Sequence, residues 1–327
     1  MDQGWWWGRK VLVTGGCGFL GSYLMEELVA AGAQVTVADN LETGTLENLA
    51  GLQGRFRFIQ GDLKVGSFCE EICRGSDVVM NLVGRAFGMG YSMHHHGEML
   101  YHNAITHLNM LEAARMSKAE RFLLVSTSCV YSDDAPTPTP ELEVTLGLPE
   151  QVNAGYGWAK RIAELQAGYY HREYGMPVAI ARPFNPYGGK YRWSEEKSHV
   201  VPTLVKRILD GEDPVIVWGS GKQRRDLLHA RDAVRLLMKV TERYACGQPV
   251  NIGYDQDVSI ADLVSMICEV SGRHPKVIYD TSKPEGRFRK CADPALLRKI
   301  TDGYEPEIGL KEGIQEMVGW YHRSFGS

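Results

Sequence analysis

Tyr156 and Lys160 stand one helical turn apart in YGWAK, a spacing that points both side chains the same way. A cation beside a phenol favours the phenolate and lowers its pKa. Such a tyrosine can exchange a proton with a sugar hydroxyl while hydride passes to a nicotinamide ring. Upstream, VSTSCVY (125–131) ends a run of β-formers in small polar residues, with the thiol of Cys129 among them. A strand that ends this way opens into a pocket. A thiol there is a base when its thiolate is favoured and an acid otherwise. Standing alone, a Tyr/Lys pair is surface decoration and a cysteine is a small buried hydrophobe, so the surroundings must decide.

A second group of residues suits a dinucleotide. TGGCGFLG (14–21) sets Gly15, Gly18 and Gly21 between a strand and a helix. Missing side chains let the backbone approach a pyrophosphate at the helix N-terminus, and Phe19 and Leu20 belong to the same turn. Asp39 ends the next strand, where a carboxylate accepts hydrogen bonds from ribose hydroxyls and repels a 2′-phosphate. NAD is therefore expected rather than NADP. Asn40 follows that acid. Asp62 after the third strand is placed to hold the adenine amino group, with Leu63 and, after the fourth strand, Leu82 completing the cofactor set.

Strands and helices must alternate to bring these groups together. KVLVTGG, QVTVADN, RFRFIQGD, SDVVMNLVG, RFLLVSTS and MPVAIARPFN read as six strands. Helical stretches separate them, among them GFLGSYLMEELVAAGA, GEMLYHNAITHLNMLEAARMSKA and YGWAKRIAELQAGYYHREYG. That alternation predicts a Rossmann-type, doubly wound parallel sheet, an α/β fold with ligands beyond the carboxyl ends of the strands. From residue 186 the pattern loosens into helix-like VVPTLVKRILDG, SIADLVSMICEVSG and LKEGIQEMVGWYHRSF with short strands PVIVWG and KVIYDT. The expected division is a cofactor domain over 1–185 and a smaller α/β substrate lobe over 186–327, with the chain free to cross between them. The TPTPE segment (137–141) reads as a surface loop.

The totals exclude several classes. The 327 residues carry 44% hydrophobic and 23% charged residues and a net charge of -4, which gives no footprint for nucleic acid or a membrane surface. No apolar run has the length of a membrane span, and MDQGWWWGRK lacks a signal-peptide core, so a cytoplasmic protein is expected. The tryptophans there read as a packing or interface feature. Seven cysteines without a CxxC pair point away from a disulfide framework or a metal site.

Across nearly its whole length the chain resembles the extended short-chain dehydrogenase/reductases that epimerise or dehydrate nucleotide sugars. The resemblance rests on TGGCGFLG, HNAITHLNMLEAAR, STSCVY, YGWAK, ARPFNPYG, VWGSGKQRRDLLHARDAV and VNIGYDQDVSIADL. It implies a triad of Thr127, Tyr156 and Lys160. STSCVYS and the loop GMGYSMHHHGEMLYHN are most similar to the branch containing GDP-mannose 3,5-epimerase and GDP-fucose synthase. In that branch the cysteine is an acid/base, which implies the same of Cys129, and SHVVPTLVKR implies a second acid/base at His199 with Lys197 nearby. The other reading of His199 is a helix-entry residue. The resemblance further implies substrate contacts from Gly88, Met89, Asn103, Ser128 and Asn185. It implies a diphosphate clamp from Arg225 and Arg287, whose guanidinium forks suit phosphate oxygens, and a homodimer pairing the helices at 97–117 and 156–174.

The chain departs from the pattern at Ser132, where a proline is usual, at NPYGG, and at His94, His95 and His96. Three consecutive histidines cannot all face one metal, so a substrate-facing or solvated loop is expected. These residues favour an epimerase that oxidises C4 with bound NAD and inverts a neighbouring centre by enolisation. A simple C4 epimerase, with Cys129 only a substrate contact, is the alternative. A 4,6-dehydratase would carry an acidic pair where Ser128 and Cys129 stand. A net reductase of the GDP-fucose synthase kind would prefer NADPH, against Asp39. A non-catalytic NAD-binding regulator would not need Tyr156 and Lys160. The nucleotide base and the sugar stay open.

Overall fold

The computed structural model describes residues 4–191, 193 and 197–326. The chain runs β1 (Lys10–Thr14), α1 (Phe19–Ala30), β2 (Gln34–Asp39), β3 (Phe56–Gln60), α2 (Gly66–Cys73), β4 (Val78–Asn81), α3 (Met89–Ser92), α4 (His96–Ser117), β5 (Arg121–Val125), α5 (Ala154–Tyr174) and β6 (Val178–Pro183). It continues β7 (Pro186–Tyr187), α6 (Val200–Leu209), β8 (Val215–Trp218), β9 (Arg224–Asp226), β10 (Leu228–His229), α7 (Ala230–Arg243) and β11 (Pro249–Ile252). It ends β12 (Asp257–Ser259), α8 (Ile260–Ser271), β13 (Val277–Asp280), β14 (Arg289–Lys290), α9 (Ala295–Ile300) and α10 (Leu310–Phe325).

Seven parallel strands form the main sheet in the order β11-β6-β5-β4-β1-β2-β3. β1 is its hinge of direction, pairing β2 on one side and β4 on the other. The chain winds both ways from β1, so a crevice opens at its carboxyl end. Register brings Thr14 beside Ala38 and Asn81, and Val125 beside Ala181, so the loops carrying chemistry leave one edge together. The central strands β1, β4 and β5 are largely apolar on both faces, as sheets covered by helices on both sides must be, whereas the edge strand β3 exposes Arg57 and Gln60. β6 is buried at every position.

The seventh strand lies beyond the six legible in the sequence. After β10 the chain returns to the first domain, laying α7 over the same core as α1 and adding β11 beside β6. The smaller lobe packs α6, α8 and α10 around β8 and its parallel partner β13, and joins β12, β9 and β14 in a second small sheet.

The TPTPE segment is a loop with Pro138 exposed, but it is tied down at its centre. Thr139 is fully buried, its N–H donating to Cys291 O at 2.9 Å and its carbonyl accepting from Asp293 N at 2.9 Å. The N-terminal tryptophans pack: Trp5 and Trp6 meet edge to face, and a Cβ on Gly32 would come within 2.3 Å of the Trp7 ring. Among the described residues no helix is long and apolar enough to cross a membrane, and no group of side chains could hold a metal ion.

Candidate active site

A cavity of about 800 Å³ lies along the carboxyl edge of the sheet and under the smaller lobe. At one end is the glycine turn. Gly15 has φ +74°, a left-handed conformation that favours glycine, and a Cβ on Gly21 would stand 2.0 Å from Gly15 O. α1 therefore starts hard against the turn. Gly18 caps it without a side chain, and no acid occupies its first turn. Its leading N–H groups and dipole are left for an anion. Phe19, Leu20, Asn40, Asp62, Leu63 and Leu82 line the same end.

Asp39 is buried at the end of β2, its oxygens accepting from Cys17 N at 3.0 Å and Leu41 N at 2.9 Å. Burial pushes its pKa up while those bonds hold it down. A carboxylate has about four lone-pair sites, so capacity remains for a ribose hydroxyl. The groove, the uncapped helix and the carboxylate fit an adenine dinucleotide. Asp62 is drawn into a local turn, accepting from Lys64 N at 2.9 Å and pairing with Lys64 Nζ at 3.1 Å.

Beyond β5 the chain makes a short 3₁₀ turn, Ser128–Val130, in which Thr127 Oγ1 accepts from Cys129 N at 3.2 Å. This turn and α5 set Thr127, Ser128, Cys129, Tyr156 and Lys160 on the cavity wall. The expected mutual tuning of phenol and ammonium takes a different form here. Burial raises the Tyr156 pKa beyond its ordinary value, with a hydrogen bond from Thr127 opposing the shift. Burial also lowers Lys160, to about 7. Lys160 Nζ donates to Val125 O at 2.6 Å and meets His107 Nε2 at 2.7 Å.

Cys129 has partners that no local spacing announces. Lys290 Nζ lies 3.4 Å from its sulfur and 2.9 Å from Glu150 Oε2, and that oxygen also accepts from Asn153 Nδ2 at 2.9 Å. Burial, reinforced by the Glu150 charge and opposed by Lys290, pushes the thiol up to about 12. Burial works against the Glu150 carboxylate, but the Lys290 charge and hydrogen bonds from Cys129, Lys290 and Asn153 together hold the pKa at about 2. Lys290 is likewise disfavoured by burial, yet Cys129 and Glu150 keep it above the usual lysine value.

His199 caps the start of α6 and faces the same cavity. Solvent reaches it there, but enclosure and the Lys290 charge hold its pKa below the ordinary histidine value. Its backbone is fixed by a close approach: Gly88 N donates to Lys197 O at 3.2 Å, and a Cβ on Gly88 would stand 2.1 Å from Ser198 O. Gly88 and Met89 line the same cavity. Lys197 lies over the Phe87 and Tyr91 rings, at 5.1 and 4.9 Å.

Several expected contacts have other work. Asn103 lines the cavity, but its amide is spent on Arg85 N (2.8 Å), Arg85 O (3.2 Å) and Met99 O (2.7 Å), so it anchors the loop. Arg287 does not reach the cavity. Its guanidinium holds Ala135 O, Pro136 O and the hydroxyls of Thr137 and Thr139, pinning the segment that reads as a surface loop. Arg225 lines the cavity while donating to the carbonyls of Arg224, Glu285 and Arg287. Asn185 lines it too, with φ +37° and its amide donating to Asp226 O. The histidine run does not line it: His95 stacks on Tyr91 at 3.7 Å, His96 accepts from Gly155 N at 3.3 Å, and His94 is exposed.

Residues 11–253 match the family described as NAD dependent epimerase/dehydratase. A putative GDP-L-fucose synthase of Oryza sativa subsp. japonica is 34% identical over 69% of this chain and 66% of its own length. A GDP-mannose 3,5-epimerase of the same organism is 26% identical over 95% of this chain and 81% of its own. The UDP-glucose 4-epimerase of Thermotoga maritima, solved with UDP-glucose, superposes with a TM-score of 0.86 at 26% identity, over 97% of this chain and 99% of that one.

Proposed function

Since the chain belongs to the NAD dependent epimerase/dehydratase family, we propose that it is a nucleotide-diphospho-sugar epimerase that works through a transient C4 ketone. Gly15, Gly18, Phe19, Leu20, Gly21, Asp39, Asn40, Asp62, Leu63 and Leu82 would hold NAD, which supplies a hydride acceptor at its nicotinamide ring. Tyr156, assisted by Thr127 and Lys160, takes the C4 hydroxyl proton as hydride leaves that carbon, and returns it at the end. The ketone acidifies the hydrogens on C3 and C5. A neutral imidazole and a protonated thiol then divide the work: His199 removes a proton from one face, and Cys129 delivers one to the other. The thiolate left on Cys129 faces the Lys290 ammonium. Exchange with solvent resets both groups, and the returning hydride leaves an isomer with no net redox change.

The observation that carries this reading is the shared cavity wall, on which Cys129 and His199 lie beside Thr127, Tyr156 and Lys160. The sugar and its nucleotide would occupy the end toward Gly88, Met89, Asn185 and Arg225. A subunit pair and a cofactor domain divided from a substrate lobe near residue 186 belong to the same proposal.

The thiol pushed up to about 12 favours a second reading, C4 epimerisation. A group so firmly protonated serves as a substrate contact when no carbanion forms. Turnover of GDP- and UDP-sugars in heavy water separates the two. Enolisation puts deuterium on C3 or C5, and Cys129→Ser stops that incorporation while transient NADH still forms. Product free of carbon-bound deuterium overturns the enolisation reading and leaves the C4 epimerase.

A further inference from the structure

Four polar side chains run in single file beneath the redox pair. Thr14 ends β1, Asn81 ends β4, His107 lies in α4 and Lys160 in α5, and none is more than 2% exposed. Thr14 Oγ1 is 2.8 Å from Asn81 Oδ1, Asn81 Nδ2 is 2.9 Å from His107 Nδ1, and His107 Nε2 is 2.7 Å from Lys160 Nζ. One end of the file is the strand that opens into the glycine turn. The other is the ammonium of the redox pair.

Two hydrogen-bond polarities satisfy this file. As the Asn81 amide is oriented, its N–H faces Nδ1, so the neutral ring carries its proton on Nε2 and donates it to Nζ, which needs the lone pair of an uncharged amine. With the amide turned end for end, its oxygen accepts from Nδ1–H and its nitrogen donates to Thr14, leaving the Nε2 lone pair for an ammonium. The polarities exclude one another: the Nε2–H tautomer requires an uncharged Lys160, and an ammonium at Lys160 requires the Nδ1–H tautomer. A doubly protonated ring is not a third solution. Burial and the neighbouring Lys160 charge hold the His107 pKa well below the ordinary value.

We propose that His107 is a positioning residue for hydride transfer: as the Nδ1–H tautomer it accepts a hydrogen from the Lys160 ammonium, keeping that group charged and aimed. This rests on the assignment of Tyr156 and Lys160 to the redox step. The contacts of Nζ, 2.6 Å to Val125 O and 2.7 Å to His107, have the lengths of charge-assisted bonds. They consume two of three ammonium hydrogens inside the protein. A third remains, and Lys160 lines the cavity beside Gly84, on which a Cβ would stand 3.6 Å from Nζ.

The groups around Nζ explain why an acceptor matters. Tyr156 and Glu164 share its helix, but Glu164 is committed to Arg182 of β6, at 2.6 Å, and to Ser126. β4 and β5 contribute the uncharged Asn81 amide and the Val125 carbonyl, and α4 contributes His107. The imidazole lone pair is the side-chain acceptor that offsets the desolvation of a buried ammonium.

Nuclear magnetic resonance tests this without a sugar. In protein labelled with 13C at the lysine ε carbons, the Lys160 signal is assigned by its loss in Lys160→Arg, and its titration is followed in wild type, His107→Leu and His107→Gln. The Leu variant, lacking an acceptor, is expected to lower the midpoint by about one pH unit or more, and Gln, whose amide oxygen replaces the lone pair, to restore most of it. In 15N-histidine protein below the wild-type midpoint, the His107 signals should report a proton on Nδ1. An unchanged midpoint in the Leu variant, or a proton on Nε2 there, overturns the proposal. If the Leu variant does not fold, the tautomer and a Gln midpoint near that of wild type decide. Failure of the redox assignment would show separately, as an active Tyr156→Phe enzyme.

Discussion

The two ends of the proposed reacting face, a redox end and an acid/base end, are built in opposite ways. The redox end takes Thr127, Tyr156 and Lys160 from one turn and the helix that follows it. Its cation is buried against a carbonyl and an imidazole, with no carboxylate bonded to it. The acid/base end draws Cys129, Glu150, His199 and Lys290 from four separate stretches, and it is held by an ion pair whose side chains are 8% and 7% exposed. One end keeps its charge at the expense of desolvation. The other balances charge against charge. The lesson is that stability and chemistry trade differently within one cavity.

The largest effect expected is at the redox end. Tyr156→Phe removes the proton carrier and should lower turnover roughly 10²–10⁴-fold with the fold intact. Deuterium exchange at C3 and C5 should fall with it, because enolisation waits on the ketone. Near-normal turnover in that variant would mean that the proton travels by another route, and the comparison would lose one of its two ends.

The next effect is on folding. Lys290→Met leaves the Glu150 carboxylate buried without its cation, a loss of about 3–5 kcal/mol where one partner of a buried pair is removed. Lys290→Met with Glu150→Leu should recover most of it, since two apolar groups then face each other. Urea unfolding of the single and double variants measures this. Equal destabilisation of both would show that packing, rather than charge balance, holds the acid/base end together.

The same contrast governs what could be read from the sequence. The glycine turn, Asp39 and the Tyr/Lys spacing are local patterns, and each constrains its own backbone. β11 was not legible, because four residues after a long excursion give no periodicity and only pairing with β6 makes them a strand. Lys290 and Glu150 were missed because nothing near either residue announces Cys129. Arg287 suits a phosphate by chemistry, but the carbonyls of 135 and 136 claim it first. Thr139 looks like loop and is core, because its backbone bonds to 291 and 293. His107 stood in a helix read for its periodicity, its motif and its place in a subunit pair, and the role proposed for it depends on a lysine of another helix.

The smallest effect sharpens the comparison through its sign. Glu150 has a pKa lowered to about 2, so the unfolded chain binds its proton first as pH falls. Its contribution to stability is full above about pH 4.5 and is lost between there and pH 2. Lys160 is lowered to about 7 from an ordinary lysine value of 10.5. Between those two values the unfolded chain holds the proton that the folded chain has released, so stability rises with pH through that window. Below it the folded protein carries a buried ammonium at a net penalty. Lys160→Met should therefore be the more stable protein at pH 6.5, by about 2 kcal/mol once relaxation of the buried site takes up part of the shift. The advantage should close as pH approaches 10. Glu150→Gln should show the reverse, less stable than wild type at neutral pH and level with it near pH 2. Thermal unfolding across pH with both variants checks the pair. A Lys160→Met protein that is less stable at pH 6.5 would mean that the file through His107 more than offsets desolvation, and that the redox end, like the other, is stabilised by its charge.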